Sequence, residues 1–582
     1  MKRRAFLSLL LCTPFCWSLM GCKNPLAPRG GNNFQAKPIP RNRLLADYAT
    51  PGGSSWNYFV VDNISIVSEL SGTGGVESDS RYRQVVRNSL QRDEIKNIDQ
   101  WLDSPTTSIV HVKGKIPPGI LKGETFDVEV TLPPGSETTS LRGGWLYKTS
   151  LSEMQDFHSG HTWAYVKGPL LLDPSDENKS RADNGKRATV LGKAVCMHDR
   201  DFTLTLDREG RNEGQLAQVA SEIEQRINRR FKIPGEPTGV AKAKSQPSVS
   251  VDVKMHPDYR VAPNRYLAVL LSIRCFENET EQTKRLEELK NELLDPSTSL
   301  LAALQLEALS GKAGAESLNE GLKSPNENIR FYSAEALAYM SKPGVGEILA
   351  DITRQNLEKR ASAILALTAM GSNQEAMESL VPLLAEDDPS LRYSAFWAIW
   401  RRDPEHPSIR GEQLGKDQVN YHVLNTRQPM VHVLKSRRNE IVLFSQNIAL
   451  NGPFVGNAGP QIMVDVAAPN QVKVVRVNPG GINSTRIIPN SLDTILRAIA
   501  ELSGSYQDML DFLGETNTQQ PNGQRALTCQ YVIDADVQGK ERSYSSGMYA
   551  DQEDDTKTIA PPKKKSVFER INPVTWFASE DP

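Results

Sequence analysis

Hydrophobic and polar positions alternate most clearly between residues 109 and 151. Phe126, Val128, Val130 and Leu132 alternate with Asp127, Glu129 and Thr131, the period-two pattern of a strand with one buried face. Residues 109–116 predict a preceding strand, closed by Pro117 and Pro118, which cannot donate to a sheet ladder. Pro133-Pro134-Gly135 predicts a turn, and Gly143-Gly144 ahead of Trp145-Leu146-Tyr147 predicts backbone at positive φ or in close approach to another segment. Residues 250–254 and 266–273 read as further strands. Leu216, Val219, Ala220, Ile223, Ile227 and Phe231 share one helical face. Helices between runs of strands make residues 56–276 an α+β region.

The pattern changes at Glu277. Residues 277–405 are rich in Ala, Leu and Glu, and Asp295-Pro296, Ser324-Pro325 and Asp388-Pro389 read as a cap followed by Pro at a helix start. Ala302-Ala303, Ser333-Ala334, Ser362-Ala363 and Ser394-Ala395 recur about every 30 residues, as in stacked helical hairpins similar to short HEAT-like repeats. Such an all-α solenoid implies a binding surface and a module separable from its neighbours. Strand patterns return in residues 406–542, at 430–434, 441–444, 461–467 and 472–477. A helix follows with Leu492, Ile495, Leu496, Ile499 and Leu502 on one face, and then a second helix capped by Ser505 with Asp508 three residues on.

The ends read as non-globular. Lys2, Arg3 and Arg4 precede an apolar run over residues 5–20 that is shorter than the ~20 residues of a spanning helix. Leu19-Met20-Gly21-Cys22 has the form of a lipobox, so residues 1–22 are expected to be a lipoprotein signal with Cys22 acylated; an ordinary secretory signal is the other reading. Arg3-Arg4 fits either general secretion or twin-arginine export. Residues 23–55 are expected to be a flexible tether and residues 543–582, with Lys563-Lys564-Lys565, a disordered tail.

Hydrophobic content of 38% and a mean hydropathy of -0.44 describe a soluble globular body. With 68 basic against 70 acidic residues, composition gives no argument for a nucleic-acid partner. Candidate chemistry is sparse. Gly72-Thr73-Gly74-Gly75 lacks the Lys of a phosphate loop, His158 and His161 have no ligand cluster beside them in sequence, and Asp199 and Asp201 flank Arg200 as in a solvated turn. The sequence therefore predicts no enzyme, cofactor or metal. Outside the leader, Cys196, Cys275 and Cys529 remain. In an oxidising compartment Cys275 and Cys529, which close the two strand-rich regions, are the expected disulfide.

The segment P-P-x-x-x-x-G-[DE]-x-[FI]-D-V-x-V followed by Ser140-Leu141-Arg142-Gly143-Gly144 resembles the flagellar P-ring protein family of Gram-negative bacteria. Gly72-Thr73-Gly74 and the helix-like run after it resemble that family's G-T-G-D segment, with Gly75 where the family has Asp. Residues 162–172 and 201–231 are similar to its next segments. In the carboxy-terminal region, residues 439–442 and 498–509 resemble the family's strand pair and its A-L-x-x-L-G-x-x-x-x-D-[LM] motif. The resemblance implies a periplasmic homo-oligomeric ring around the flagellar rod, contacting other basal-body proteins and peptidoglycan, here held to a membrane by its lipid. It also implies assembly roles for Gly72, Thr73, Gly74, Leu141, Arg142, Gly143 and Gly144, with Arg142 either at a subunit interface or bracing its own chain. The other reading is an envelope lipoprotein adaptor that recruits a partner through the helical repeats.

Overall fold

The computed structural model describes residues 43–75, 81–155, 158–172, 185–233, 235, 239–245, 249–371, 374–478, 480–521, 523–535 and 541–544. The expected lipobox with Cys22, the twin arginines and the Lys563-Lys564-Lys565 run lie outside these residues.

After an edge strand β1 (Ala49–Pro51), the chain builds a closed barrel. Its elements are β2 (Phe59–Ser68), helices α1 (Arg81–Arg92) and α2 (Ile98–Leu102), β3 (Ser108–Ile116), β4 (Thr125–Thr131), β5 (Trp145–Gln155), β6 (His158–Pro169), β7 (Leu171–Leu172) and β8 (Arg187–Cys196). The hydrogen-bonded order is β4-β3-β2-β5-β6-β8, and β8 returns to β4 with Val128 opposite Val190, so these strands leave no open edge among themselves. Phe126, Val128 and Val130 point inward as their alternation predicts, joining Val61, Val112, Leu146, Val166 and Val190 in the barrel core. α1 and α2 cover the outside of β2 and β3 through Val86, Leu90 and Leu102.

A second sheet, in the order β1-β9-β11-β10, uses β9 (Phe202–Leu206), β10 (Ala241–Lys244) and β11 (Ser250–Val253). α3 (Glu213–Arg230) lies between β9 and β10 in the chain, opens with an Asn212/Gln215 capping box and buries the expected stripe of Leu216, Val219, Ala220, Ile223 and Ile227. The strand expected at residues 266–273 is instead helix α4 (Pro263–Leu271), with Pro at its first position. Its Tyr266 and residues 268–271 are all buried, and a run buried all round carries no period by which a helix differs from a strand.

The helical segment contains α5 (Glu279–Leu294), α6 (Ser299–Leu309), α7 (Gly311–Gly321), α8 (Glu327–Tyr339), α9 (Gly346–Gln355), α10 (Leu357–Ala369), α11 (Gln374–Leu380) and α12 (Pro389–Arg402). α6, α8, α10 and α12 pack side by side as an inner layer, and each carries one of the four recurrent small-residue pairs, all buried. Asp388 caps α12 ahead of Pro389 as predicted, whereas α6 and α8 begin later than their Pro signals, after Thr298 and Asn326. The inner layer is covered by the rest of the chain. One continuous hydrophobic cluster runs from Leu44 and Phe202 through Ala302, Leu337, Leu365 and Phe396 to Met430 and Phe444. The helices thus share buried hydrophobic residues with the regions before and after them.

The remaining strands are β12 (Gly411–Leu414), β13 (Val419–Val423), β14 (Met430–Leu434), β15 (Glu440–Leu443), β16 (Phe454–Ala458), β17 (Ile462–Ala468), β18 (Gln471–Arg476) and β19 (Ser484–Pro489). Then come α13 (Leu492–Glu501), α14 (Tyr506–Asn517) and β20 (Gln530–Ile533). They form a mixed sheet, β12-β13-β15-β14-β20, and a meander, β16-β17-β18-β19, with α13 and α14 contributing Leu492, Ile495, Leu496, Met509 and Phe512 to their common core.

Two boundary expectations change. The tether does not extend to residue 55: Leu44 and Leu45 are fully buried, Tyr48 and Ala49 nearly so, and Leu44 bridges to Arg274. The tail does not begin at 543, because residues 541–544 pack on α4 and α8. Among the described residues no helix is long and apolar enough to cross a membrane.

Candidate functional site

Three segments singled out in the sequence meet where the barrel joins the carboxy-terminal region. The first is the Gly72-Thr73-Gly74 turn. Gly72 has φ +80°, and a side chain on Gly74 would run into the Pro105 and Thr107 carbonyl oxygens. Thr73 Oγ1 donates to the Ser140 carbonyl at 2.7 Å and Thr139 N–H donates to the Thr73 carbonyl at 2.9 Å, which fixes the turn to the second segment. At Gly75, where the family has Asp, a Cβ would stand 3.0 Å from Glu137 Cβ.

The second segment spans Ser140 to Gly144. Leu141 is fully buried in the barrel core, and its N–H donates to Gly185. The two adjacent glycines have different reasons: Gly143 has φ +72° with open space around it, while a Cβ on Gly144 would come within 2.5 Å of Val67 Cγ1 and 2.9 Å of Leu70 Cδ2. This places Arg142 at the barrel surface, facing the third segment, the first turns of α14. Its Nη2 pairs with Asp508 at 3.4 Å and makes a closer pair with Asp511. Arg142 thus has two carboxylate partners within its own chain. Burial lowers the affinity of its guanidinium for the proton, but Asp511 and Asp508 outweigh that and hold it above the usual arginine range.

Asp508 also completes the capping box predicted at Ser505: Ser505 N–H donates to Asp508 Oδ2 at 2.8 Å, and Asp508 N–H donates to Ser505 Oγ at 3.1 Å. Gln507 supports the same contact by accepting the Leu172 N–H at 2.9 Å and donating to Asp511 Oδ1 at 2.7 Å. Gly459, in the turn between β16 and β17, leaves room for this cluster, since its Cβ would stand 3.3 Å from Arg142 Nη2 and overlap Asp508.

A second contact joins the same two regions at the strand motif itself. Asp127 faces out of the barrel from β4, and its two oxygens accept the Gly192 and Arg437 N–H groups, each at 2.6 Å. Gly192 has φ +54°, and any side chain there would overlap the Arg437 carbonyl. Burial pushes the Asp127 carboxyl above its usual range against the pull of these two N–H donors. Sequence reasoning identified Asp127 only as a polar position of a strand. The fixed Asp within the quoted motif was the available signal that it does more.

The chemistry of the junction is that of a joint: charge-assisted hydrogen bonds and close-packed glycines, with no nucleophile–base pair among its described residues. The other sequence candidates lie elsewhere. His161 packs against Trp163 and His198, and the side chain of His158 is outside the described residues. Among the described residues no group of three His, Cys, Asp or Glu is placed to hold a metal. Asp199 Oδ1 accepts the Lys122 N–H as a turn residue. The expected disulfide is not formed: Cys275 and Cys529 are free thiols. Cys275 lies in the core cluster shared with the helices, while Cys529 packs against the core of the carboxy-terminal sheets, so the two belong to different hydrophobic clusters.

Comparison with known proteins agrees with the resemblance read from these motifs. Residues 63–284 match the family model of the flagellar P-ring protein, a stretch covering nearly all of the barrel, the second sheet and α4. A flagellar P-ring protein of Aquifex aeolicus (strain VF5) is 25% identical over 229 residues, which are 38% of this chain and 59% of that one. The chain therefore matches less than two thirds of its relative's length. The helical segment beyond residue 284 and the carboxy-terminal resemblance lie outside the family match.

Proposed function

We propose that this chain is a structural subunit of a flagellar basal body, in the manner of the P-ring protein, and that it acts as part of a closed periplasmic ring around the rod. The observation that carries the reading is the convergence of Gly72-Thr73-Gly74, Arg142 and Asp508 at one junction, together with the family match over residues 63–284. The motifs serve a rigid joint between two strand-rich regions, which suits a subunit that must hold its shape under the load of a turning rod. A closed ring requires each copy to offer two different faces to its neighbours. In this reading the ring contacts peptidoglycan, and acylated Cys22 adds a membrane attachment. The inner helical layer shares its hydrophobic core with the rest of the chain, which favours a structural role over recruitment through that layer.

Deleting the chain's coding sequence and imaging detergent-extracted basal bodies tests the proposal. The expected result is rods lacking the periplasmic ring, in cells that swim poorly or not at all. Intact rings and normal swimming would overturn it. Mass spectrometry of the mature amino terminus tests the anchor separately, with acylated Cys22 expected and an unmodified terminus elsewhere contradicting it.

A further inference from the structure

Helix α4 begins without a side-chain cap of its own. Ala262 stands at the cap position and Pro263 has no N–H, so the first-turn donors at Asn264 and Arg265 need an acceptor from elsewhere. That acceptor comes from the far end of the chain: Arg265 N–H donates to Glu541 Oε1 at 2.9 Å. The next residue makes a second anchor. Arg542 pairs at 3.0 Å with Glu335 of α8, a carboxylate only 2% exposed, and its guanidinium lies 5.0 Å from the Phe331 ring centre and 5.3 Å from that of Tyr332. Two residues on, the Tyr544 hydroxyl accepts from Arg265 Nη1 at 3.3 Å. Arg265 also pairs with buried Glu307 of α6 and, at 2.7 Å, with Glu335. The short, partly exposed segment thus completes a polar network whose other members, Arg265, Glu307 and Glu335, are buried. Burial pushes the Glu541 carboxyl up to about 7, as befits a desolvated contact.

We propose that the face shared by α4 and α8 is a peptide-docking groove for the motif Glu-Arg-x-Tyr, and that residues 541–544 fill it in cis as a latch fastening the end of the carboxy-terminal region to the helical layer. Each side chain of the motif has its own receiver: a bare helix start for Glu541, the buried Glu335 carboxylate and the rings of Phe331 and Tyr332 for Arg542, and a guanidinium for Tyr544. The spacing is part of the recognition, because Ser543 is exposed and leaves Tyr544 to turn back toward Arg265.

The test uses the full chain. A Glu541→Ala/Arg542→Ala double variant should show amide exchange at Asn264 and Arg265 faster by about tenfold, the size expected for a lost helix cap. A fluorescein-labelled peptide of residues 538–546 should bind this variant and not the parent, whose groove is already filled. Arg542→Lys keeps the charge but loses the planar contact with the rings, and should give an intermediate rise in exchange at the first turn of α4. It decides the matter if the double variant does not fold. Unchanged exchange in Arg542→Lys, or a folded double variant that fails to bind the peptide, overturns the proposal.

Discussion

Replacing Arg142 with Ala removes the cation that pairs with Asp508 and Asp511 at the junction, and the structure bounds the cost. Exposed ion pairs contribute ~0.2–1 kcal/mol, and removing one partner of a fully buried pair costs ~3–5 kcal/mol. The Arg142 side chain is 33% exposed and those of Asp508 and Asp511 are 19% and 23% exposed, so the change lies between these limits, at about 2 kcal/mol. Asp508 keeps its capping bonds with Ser505 after the change, so α14 stays helical and the loss is confined to docking. Asp511→Ala is therefore the better partner for a double-mutant cycle, with a coupling energy of about 1–2 kcal/mol expected. Urea unfolding of the purified chain gives the total, and amide exchange in the first turn of α14 locates it. The reasoning fails if Arg142→Ala leaves stability and α14 exchange unchanged while oligomers dissociate, which would place Arg142 on a subunit interface instead.

Asp127→Asn keeps the shape of the side chain but turns one of two acceptors into a donor facing a backbone N–H, and should lower the urea stability by about 2 kcal/mol. Gly144→Ala should cost about 1–3 kcal/mol through overlap with Val67 and Leu70, and Gly143→Ala about 1 kcal/mol through its φ of +72° alone; equal thermal shifts for the pair would contradict the distinction. His432 is fully buried, stacked on Tyr393 with its Nε2 accepting the Ala535 N–H, and burial with nearby Arg438 lowers its pKa to about 3. Because that folded-state value lies below the unfolded one of about 6.5, its contribution is complete above pH 6.5 and is lost as pH falls toward 3. The slope is at most about 1.4 kcal/mol per pH unit. His432→Gln should flatten stability against pH in that window, as read by urea titrations at pH 7, 6 and 5, and an unchanged slope would count against it.

Local pattern made much of the fold readable, while the partners of the site residues were not readable. β4 and α3 each bury one face, so period two and period 3.6 were printed in their sequences. The small-residue pairs marked the inner helices because close helix packing demands small side chains wherever it recurs. The helix α4 carries no readable period because its second half, Tyr266 and residues 268–271, is buried on every face. The shared core is not legible because α6 meets α4 and α12 meets the carboxy-terminal strands through long-range contacts that no window of sequence contains. At the site, the two glycines were read correctly in kind, since both positive φ and close approach leave the same residue. The partners of Arg142 lie 366 and 369 residues away, and Glu541 lies 276 residues from the helix it caps. Charged residues at such separations announce neither their pairing nor their burial.

The central claim is that this chain is a built-in part of the flagellar basal body. Quantitative mass spectrometry of detergent-extracted, gradient-purified basal bodies tests it most directly. The account predicts that the chain copurifies with rod and hook in a fixed ratio to the rod proteins and stays with them after a high-salt wash. Basal bodies from swimming cells that lack the chain would contradict it, however closely residues 63–284 match the P-ring family model.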